Sequence, residues 1–458
     1  MKSLPTALVG SLLALIVISC GGGDHSSAPA PLVSPSITSQ PASQTIYSGG
    51  TANFSIGVTG NPAPSIVWQR SNDSGATWTA INGATSATYN FTVQPADTGA
   101  RFRALATNSQ GSILSTAATL TEVPAVYAGG RIDVTNPYSG YWINGTWVQL
   151  PSPPGTTAQV NALSVSGNKV FAAGSWLSAS ASAQIPTGYW LDGNWVDLAL
   201  PSGSAWGVVN SLVVSGNDLY LAGELAPGGV PGYWLNGTWN GLPVPQGSDY
   251  ASVLSLALSG ADVYVAGYSF SNGNVAPPGY WFNGTWTGLP LPAGSVNGIV
   301  ESIVVSGSDV YAAGFTSSQT TGYSGNPGYW LNGSWVGLAL PIGQTEGAVT
   351  SLVVSGTDVY AAGFSENATV TVPGYWLNGA WVGLTVPFGF DSGKVFSLVL
   401  SGGKVYAGGV SGIANSPPTP GYFSSTIPGY WVNGVWVGLP IPSPGTGFSS
   451  VSSLTVIP

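Results

Sequence analysis

From residue 126 onward, hydrophobic and polar positions alternate in short runs separated by tight-turn dipeptides. The sequence Trp-x-Asn-Gly-x-Trp, once with Asp-Gly, occurs seven times, beginning at Trp142, Trp190, Trp234, Trp281, Trp330, Trp376 and Trp431. Asn-Gly between strand-forming residues favours a type I′ turn, which needs a positive φ at both central positions. The two tryptophans of such a hairpin lie opposite each other on one face. The pattern therefore predicts seven β-hairpins, each with a tryptophan pair.

These hairpins belong to a longer repeat of about 48 residues that carries four strand signals. In one unit the signals lie at 209–216, 218–223, 232–234 and 239–242. The array begins with a second-strand signal at 126–129 and ends with a first-strand signal at 451–456. Because the array is cut inside a unit, we expect the C-terminal strand to complete the sheet that begins at residue 126. A β-propeller closes in this way, whereas an open β-solenoid does not need the cut.

The array resembles the Tyr-Trp-x-Asn-Gly repeats of uncharacterised bacterial surface proteins and, more distantly, kelch-like propellers. This resemblance implies a fold but no common activity.

The region 37–122 has a different pattern, with shorter strand signals between Gly and Pro turns. It resembles bacterial immunoglobulin-like (Ig-like) domains, and the matching features are Trp68 of the third strand, Asp97-Thr98-Gly99 with Phe102 at the corner, and Asn108–Gly111 of the last hairpin. The disulfide positions of that family correspond to Phe54 and Ala104 here. The predicted fold class is therefore all-β: an Ig-like β-sandwich at 37–122, followed at 123–458 by a seven-bladed β-propeller of four-stranded blades, closed by the C-terminal strand.

The segment 71–78 matches the Asp-box of sialidase propellers, Ser-x-Asp-x-Gly-x-Thr-Trp. A single copy inside a sandwich predicts a rigid turn in which the Asp73 carboxylate accepts hydrogen bonds from nearby backbone N–H groups.

The N-terminus has the features of a targeting segment: Lys2, an apolar stretch at 8–18 and then Cys20. It resembles a bacterial lipoprotein signal, which implies a signal peptide at 1–19, lipidation of Cys20 and a flexible tether at 20–36. The resemblance also implies a lipid-anchored protein of the bacterial envelope, at the outer membrane or cell surface. The alternative is an ordinary signal peptide with an incidental cysteine.

Composition excludes several functions. Only 5% of residues are charged, the net charge is −9, and eight basic residues cannot neutralise a nucleic-acid backbone. His25 and Cys20 are the only residues of their types and both lie near the N-terminus, so Ser-His-Asp and Cys-His catalysis are not expected. We predict no cofactor, no metal and no assigned catalytic residue. Asp218, Asp262, Asp309 and Asp358 share one turn position in separate units, which predicts a role in the turn.

Binding residues are expected where the units differ, because shared positions usually maintain the fold of a repeat protein. The connections between strands two and three and between units vary in length, so we expect the binding face on their side. Trp176 and Trp206 fall outside the repeat pattern and are predicted to lie in these loops. Tyr250, Phe270, Phe315, Phe388 and Phe390 add aromatic character to that face, and Glu301 replaces the residues of other units at one first-strand position. The candidate ligand-binding residues are Trp176, Trp206, Tyr250, Glu301, Phe388 and Phe390.

Three functions remain open from the sequence. The first is a non-enzymatic binding or adhesion lipoprotein that recognises a glycan or an envelope or extracellular protein. The second is a carbohydrate-active hydrolase or lyase that uses carboxylates on loops. The third is a structural component of the surface or matrix without a discrete ligand.

Overall fold

The computed structural model describes residues 30–132, 138–152, 156–178, 186–271, 274–275, 278–318, 324–415, 423–441 and 448–458. Within these ranges the regular structure is β-strand, apart from one 3₁₀ turn at Pro95–Asp97. The predicted all-β class is therefore confirmed. The predicted signal peptide, Cys20 and the tether up to residue 29 lie outside the described residues.

The described residues before residue 124, from residue 30 onward, contain ten strands. They are β1 (Val33–Ser39), β2 (Gln44–Tyr47), β3 (Thr51–Ser55), β4 (Gly57–Asn61), β5 (Ser65–Ser71), β6 (Thr79–Ala80), β7 (Thr88–Thr92), β8 (Arg101–Asn108), β9 (Gly111–Leu114) and β10 (Ala118–Val123). One sheet has the order β2-β10-β8-β5-β6 with β9 also on β8, while β1 pairs with β4 and β3 with β7. Phe54 and Ala104 are fully buried, and the ring of Phe54 stacks on Phe102 with centroids 4.6 Å apart. At the two positions where the Ig-like family has a disulfide, this chain therefore has the buried side chains of Phe54 and Ala104.

The Asp73 turn has the predicted form. One carboxylate oxygen accepts the Thr77 backbone N–H at 2.9 Å and the Ser71 hydroxyl at 2.7 Å, and the other accepts the Thr77 hydroxyl at 2.6 Å. These hydrogen bonds, chiefly those from Thr77, hold the pKa of Asp73 well below its ordinary value. The motif is a self-bonded turn in this structure.

From residue 125 onward, the described residues form seven sheets, numbered here from 1 to 7. Their strands are β11 (Ala125–Ile132), β12 (Tyr138–Ile143) and β13 (Thr146–Gln149) in sheet 1; β14 (Thr156–Ser166), β15 (Lys169–Ser178), β16 (Gly188–Leu191) and β17 (Asn194–Asp197) in sheet 2; β18 (Trp206–Ser215), β19 (Asp218–Ala226), β20 (Val230–Leu235) and β21 (Thr238–Gly241) in sheet 3. Sheet 4 contains β22 (Tyr250–Ser259), β23 (Asp262–Ser271), the short β24 (Asn274–Val275), β25 (Gly279–Phe282) and β26 (Thr285–Gly288), and sheet 5 contains β27 (Asn297–Ser306), β28 (Asp309–Ser317), β29 (Asn326–Leu331) and β30 (Ser334–Gly337). Sheet 6 contains β31 (Glu346–Ser355), β32 (Asp358–Glu366), β33 (Thr371–Leu377) and β34 (Ala380–Gly383), and sheet 7 contains β35 (Ser392–Ser401), β36 (Lys404–Ala414), β37 (Phe423–Val432) and β38 (Val435–Gly438).

The last strand, β39 (Ser449–Ile457), belongs to sheet 1. It pairs antiparallel with β11, and Val456 lies opposite Val126. The predicted pairing of the chain end with residue 126 is therefore confirmed. β39 also contacts β14 of sheet 2 and β35 of sheet 7. A hydrogen bond accompanies each contact. Ser453 Oγ of β39 accepts the Leu163 N–H of β14 at 3.0 Å, and Ser397 Oγ of β35 accepts the Leu454 N–H of β39 at 3.0 Å.

The seven hairpins have the predicted turn geometry. In sheet 5, Trp330 lies opposite Trp335, and the turn residues Asn332 and Gly333 have φ values of 48° and 84°. The Asn332 side chain accepts the Val310 N–H at 2.9 Å and donates to the Asp309 carboxylate at 2.8 Å. Equivalent pairs join Asn236 to Asp218, Asn283 to Asp262 and Asn378 to Asp358. These four aspartates therefore have the predicted turn role.

The first tryptophan of each hairpin links neighbouring sheets. Trp330 is fully buried, its ring centroid lies 4.4 Å from that of Trp335, and its indole N–H donates to the Pro290 carbonyl at 2.8 Å. Pro290 lies in the connection that precedes sheet 5. The same bond runs from Trp142 to Pro440, Trp190 to Pro151, Trp234 to Ala199, Trp281 to Pro243, Trp376 to Ala339 and Trp431 to Thr385. The motif thus contributes to packing between sheets as well as to the turn.

Candidate ligand-binding site

Each sheet has a β-bulge at the same place in its first strand. In sheet 5 the register shifts between Val300 and Ser302, so that Glu301 is left without an opposite residue on β28. The glycine opposite the bulge permits the close approach, since a methyl group at Gly314 would overlap the Ile299 carbonyl oxygen. The seven bulge residues are Asn161, Asn210, Leu254, Glu301, Thr350, Phe396 and Ser452.

All seven bulge residues line one cavity of about 470 Å³, which we call the first-strand cavity. Its other lining residues are Gln159, Ala348, Phe364, Lys394 and Ser450. Four of these five precede a bulge residue by two positions, and Phe364 lies near the end of β32. These lining residues therefore extend the cavity from the bulges toward the start of the first strands. The connections of variable length lie at that end of the sheets. The cavity combines amide and hydroxyl groups with two aromatic rings, one carboxylate and one ammonium.

Glu301 is the single carboxylate on the wall of this cavity. Removal from bulk water raises its pKa to about 7, and the positive charge of Lys394 opposes that rise. No hydrogen bond contributes to this pKa shift. Glu301 therefore supplies to this cavity a carboxyl group whose pKa is raised by its removal from water.

Lys394 lies on the same wall from sheet 7. Its Nζ is 3.9 Å from the centroid of the Phe364 ring, a cation–π contact. Burial lowers the pKa of Lys394, while the carboxylates of Glu366 and Glu301 act in the opposite direction. A second cavity of about 260 Å³ shares Lys394, Gln159, Phe396 and Ser450 with the first and adds Arg131. We call it the Arg131–Lys394 cavity.

A separate groove of about 470 Å³ lies between sheets 3 and 4 and is called here the aromatic groove. Trp206 and Tyr250, at the starts of β18 and β22, both line it. Tyr250 is 37% exposed and stacks on Phe270, with centroids 4.4 Å apart and ring planes at 20°. Tyr268 meets Phe270 edge-on at 5.0 Å and also lines the groove. The structure therefore brings together three of the aromatic residues singled out in the sequence, Trp206, Tyr250 and Phe270.

Glu224 supplies the carboxylate of the aromatic groove. It accepts the Ser252 hydroxyl at 3.2 Å, the Val253 N–H at 3.2 Å and the Asn210 amide at 3.3 Å. Burial raises the pKa of Glu224 to about 7 in spite of these hydrogen bonds. Because Asn210 also lines the first-strand cavity, this contact joins the walls of the two sites.

The prediction for Trp176 was wrong. Trp176 lies in strand β15 rather than in a loop and is only 4% exposed. Its ring packs against Trp190 at 5.3 Å and Trp195 at 5.0 Å, so it extends the tryptophan pair of its own sheet and offers no exposed surface for stacking. Phe315 was also misjudged, since it is 1% exposed and packs with Ile299, Ala348 and Phe364.

The remaining aromatic candidates lie elsewhere. Phe388 is fully exposed in the turn after β34, and Phe390 is half-buried in the same turn, where its N–H donates to the Pro387 carbonyl. Neither residue lines the first-strand cavity or the aromatic groove. Trp206 is half-buried and begins a strand instead of lying inside a loop. Cys20, the predicted lipidation site, lies outside the described residues.

Sequence reasoning did not select Arg131, Glu224 or Lys394. A signal was present, because each interrupts an aligned position that other units fill with different residues. Arg131 and Glu224 occupy the position after the second-strand glycine, where other units have Ser175, Tyr268, Phe315, Phe364 and Val410. Lys394 stands two residues before its bulge, where other units have Gln159, Val208, Ser252, Ile299, Ala348 and Ser450.

No group of three or more His, Cys, Asp or Glu side chains in the described ranges is arranged to hold a metal ion. Nor do these ranges contain a helix that is long and apolar enough to cross a membrane.

Comparisons with known proteins concern limited parts of the chain. Residues 37–124 match a family described as a domain of unknown function, DUF8696. The chain is 30% identical over 159 residues to endoglucanase C of Cellulomonas fimi, and the match covers 30% of this chain and 14% of that protein. The chain thus spans much less than two thirds of this relative's length.

Ig-like proteins are among the solved structures similar to the chain. They include a chimeric titin Z1Z2 with an exogenous decorin peptide (25% identity, 20% of this chain and 97% of that chain, TM-score 0.17) and a titin M10–obscurin-like 1 Ig complex (24%, 20% and 95%, 0.17). A third is the N-terminal Ig1-2 module of the Drosophila receptor protein tyrosine phosphatase DLAR (26%, 19% and 48%, 0.16).

Proposed function

We propose that sheets 1 to 7 form a closed seven-bladed β-propeller. The pairing of β39 with β11 supports this arrangement, since it places the two ends of the repeat array in one sheet. The bond from the Trp142 indole to the Pro440 carbonyl supports it further, because it links sheet 1 to the connection after sheet 7 as its equivalents link the other neighbours. The lining of one cavity by first strands of all seven sheets fits the same arrangement.

We also propose that the protein is a lipoprotein of the bacterial envelope, anchored through Cys20. The apolar stretch at 8–18 followed by Cys20 supports the proposal. A Cys20→Ala variant should move from the membrane fraction to the soluble fraction of the cell. Continued retention of that variant in the membrane would argue against a lipid anchor.

For the anchored protein we propose non-enzymatic binding of a glycan at the aromatic groove. The observation that carries this proposal is the convergence of Trp206, Tyr250 and Phe270 on one partly exposed groove that also contains the Glu224 carboxylate. Aromatic faces provide large apolar contact areas for sugar rings at low entropic cost. A carboxylate and hydroxyl groups at the same site accept and donate the hydrogen bonds that orient a polar ligand.

The test is a glycan array probed with the intact protein, followed by calorimetric titration of any glycan that binds. Trp206→Ala and Tyr250→Ala should each weaken binding about tenfold or more, the loss of one well-placed aromatic contact. Phe388→Ala is the matched control, because Phe388 is an exposed aromatic residue outside the groove. Equal binding by the wild type and both groove variants would exclude this site.

A carbohydrate-active hydrolase is the second candidate. Glu224 and Glu301 support it, since a carboxyl group with a pKa of about 7 suits general acid catalysis at neutral pH. The partial match to a protein named endoglucanase C directs the choice of substrate. Release of reducing ends from a β-glucan that disappears in Glu224→Gln or Glu301→Gln would favour this function over simple binding.

A further inference from the structure

Cations are scarce in the repeat array, and their placement is uneven. Residues 123–458 contain only Arg131, Lys169, Lys394 and Lys404 as basic residues, in a chain with a net charge of −9. Lys169 and Lys404 are exposed at the starts of β15 and β36, in the tight turns that other units fill with aspartate. The other two, Arg131 and Lys394, line the same cavity of about 260 Å³.

These two cations come from different sheets. Arg131 is on β11 of sheet 1, and Lys394 is on β35 of sheet 7. Ser449 and Ser450 of β39, which contacts both strands, complete the wall between them. The cavity therefore depends on the pairing of the C-terminal strand, and its two charges are 263 positions apart in the numbering.

The chemistry of the wall fits an anion attached to a ring. Arg131 donates to the Gln159 amide oxygen at 3.3 Å, and the planar shape of a guanidinium matches that of a carboxylate. Lys394 contacts the Phe364 ring, and burial lowers the pKa of its ammonium group. Glu366 and Glu301 act on it only through their charge. Because burial disfavours the charged ammonium, the charge of a bound carboxylate would stabilise it.

Aromatic residues surround these charges. Phe423 is buried and Phe448 is 50% exposed, and both line the Arg131–Lys394 cavity together with Phe396. Thr426 adds a hydroxyl, which donates to the Ser449 carbonyl at 2.8 Å and accepts the Ser449 N–H at 2.7 Å. The site thus offers cations for an acidic group and aromatic faces for a ring.

We propose that the Arg131–Lys394 cavity binds the carboxylate of an acidic saccharide, a uronic acid residue of the glycan. This inference rests on the proposed glycan-binding function and specifies its ligand class. It assigns the acidic group to a cavity distinct from the aromatic groove, since the two share no lining residue.

The experiment titrates the intact protein with D-glucuronate, D-glucose and acetate at pH 7 and low salt, by ligand-observed NMR or calorimetry. Glucuronate should bind at least tenfold more tightly than glucose and acetate. Lys394→Met, which keeps an aliphatic side chain on Phe364, and Arg131→Gln should each reduce glucuronate affinity about tenfold. Lys404→Met and Lys169→Met change the net charge equally and should retain wild-type affinity.

Several results would overturn the proposal. They are equal binding of glucose and glucuronate, equal binding of acetate, unchanged affinity in both cavity variants, or an equal loss in the Lys404→Met control. Near-UV circular dichroism verifies that each variant is folded, and Arg131→Gln remains informative if Lys394→Met is not. If neutral glycans bind in a Trp206-dependent way and uronates bind no better, only the uronate inference is refuted and the proposed glycan binding stands. Absence of binding to any glycan would refute the proposed function as well.

Discussion

The two ends of the repeat sheets differ in how strongly the units agree. At the hairpin end, every sheet has an Asn-Gly or Asp-Gly turn with positive φ and a buried tryptophan that bonds to the preceding connection. At the first-strand bulges, the seven equivalent residues include amides, hydroxyls, a carboxylate, leucine and phenylalanine. The repeated residues form the hairpin turns and the hydrogen bonds between neighbouring sheets, whereas the residues that differ between units line the cavities. Positions that are the same in every unit therefore maintain the fold, and positions that differ between units form the candidate site.

Trp176 and Trp206 qualify this lesson. Both depart from the repeat, yet Trp176 enlarges a buried tryptophan cluster while Trp206 borders the aromatic groove. An unusual residue is thus a candidate only if its side chain reaches a cavity.

The largest expected effect is on the scaffold. Removal of residues 451–458 deletes most of β39, which pairs with β11 and contacts sheets 2 and 7. We expect the repeat array to lose more than about 5 kcal/mol of unfolding free energy, enough to abolish a typical domain's stability. Calorimetry and near-UV circular dichroism measure this loss. Removal of Pro458 alone is the control, and an unchanged melting profile after the longer deletion would reject ring closure.

A smaller effect is expected at one scaffold glycine. A Cβ added at Gly328 would lie 2.5 Å from Cζ2 of Trp335 and 2.5 Å from the Val336 carbonyl oxygen. Overpacking of this kind should make Gly328→Ala about 3 kcal/mol less stable in chemical denaturation. Phe388→Ala, at an exposed position in a variable connection, should change stability by less than about 0.5 kcal/mol. Comparable losses in the two variants would contradict the division between scaffold and variable positions.

The smallest expected effect concerns the cavities. Glu224 and Glu301 have pKa values raised from 4.5 to about 7, so the folded protein binds more protons than the unfolded chain between these values. Stability should therefore fall as the pH rises from 4.5 to 7, by up to about 2.5 kcal/mol per carboxyl group. The pKa of Lys394 is lowered from 10.5, so between the lowered value and 10.5 the unfolded chain binds more protons than the folded protein. In that range Lys394 makes stability rise with pH.

Denaturation curves of Glu224→Gln and Glu301→Gln across this range measure the effect. Each variant should have a flatter dependence of unfolding free energy on pH than the wild type. A wild-type stability that rises between pH 4.5 and 7 would show that these carboxyl groups are not buried as described.

Much of the scaffold was predictable because its signals are local. The Asn-Gly dipeptide defines its turn by backbone sterics, and the flanking tryptophans are then opposite each other in any such hairpin. The cut repeat also correctly predicted that the C-terminal strand completes the sheet that begins at residue 126, since complementary halves of one unit lie at the two ends of the array.

The site was less predictable because side-chain environment is not a local property. Trp206 and Tyr250 were selected for their aromatic character, but their common groove depends on the packing of β18 and β22. Lys394 interrupts an aligned position, but nothing near it in the sequence shows that Arg131 lies on the same wall.

The sequence by itself determined the all-β class, the seven hairpins and the position of the last strand, because turn chemistry and repeat period act through neighbouring residues. Tertiary structure alone decided that Trp176 is buried and that the bulge residues share one cavity. It also decided that Arg131 and Lys394, which are distant in sequence, line the Arg131–Lys394 cavity together. The physical reason is that burial and charge proximity depend on which sheets pack together, and strands remote in sequence contribute to each wall.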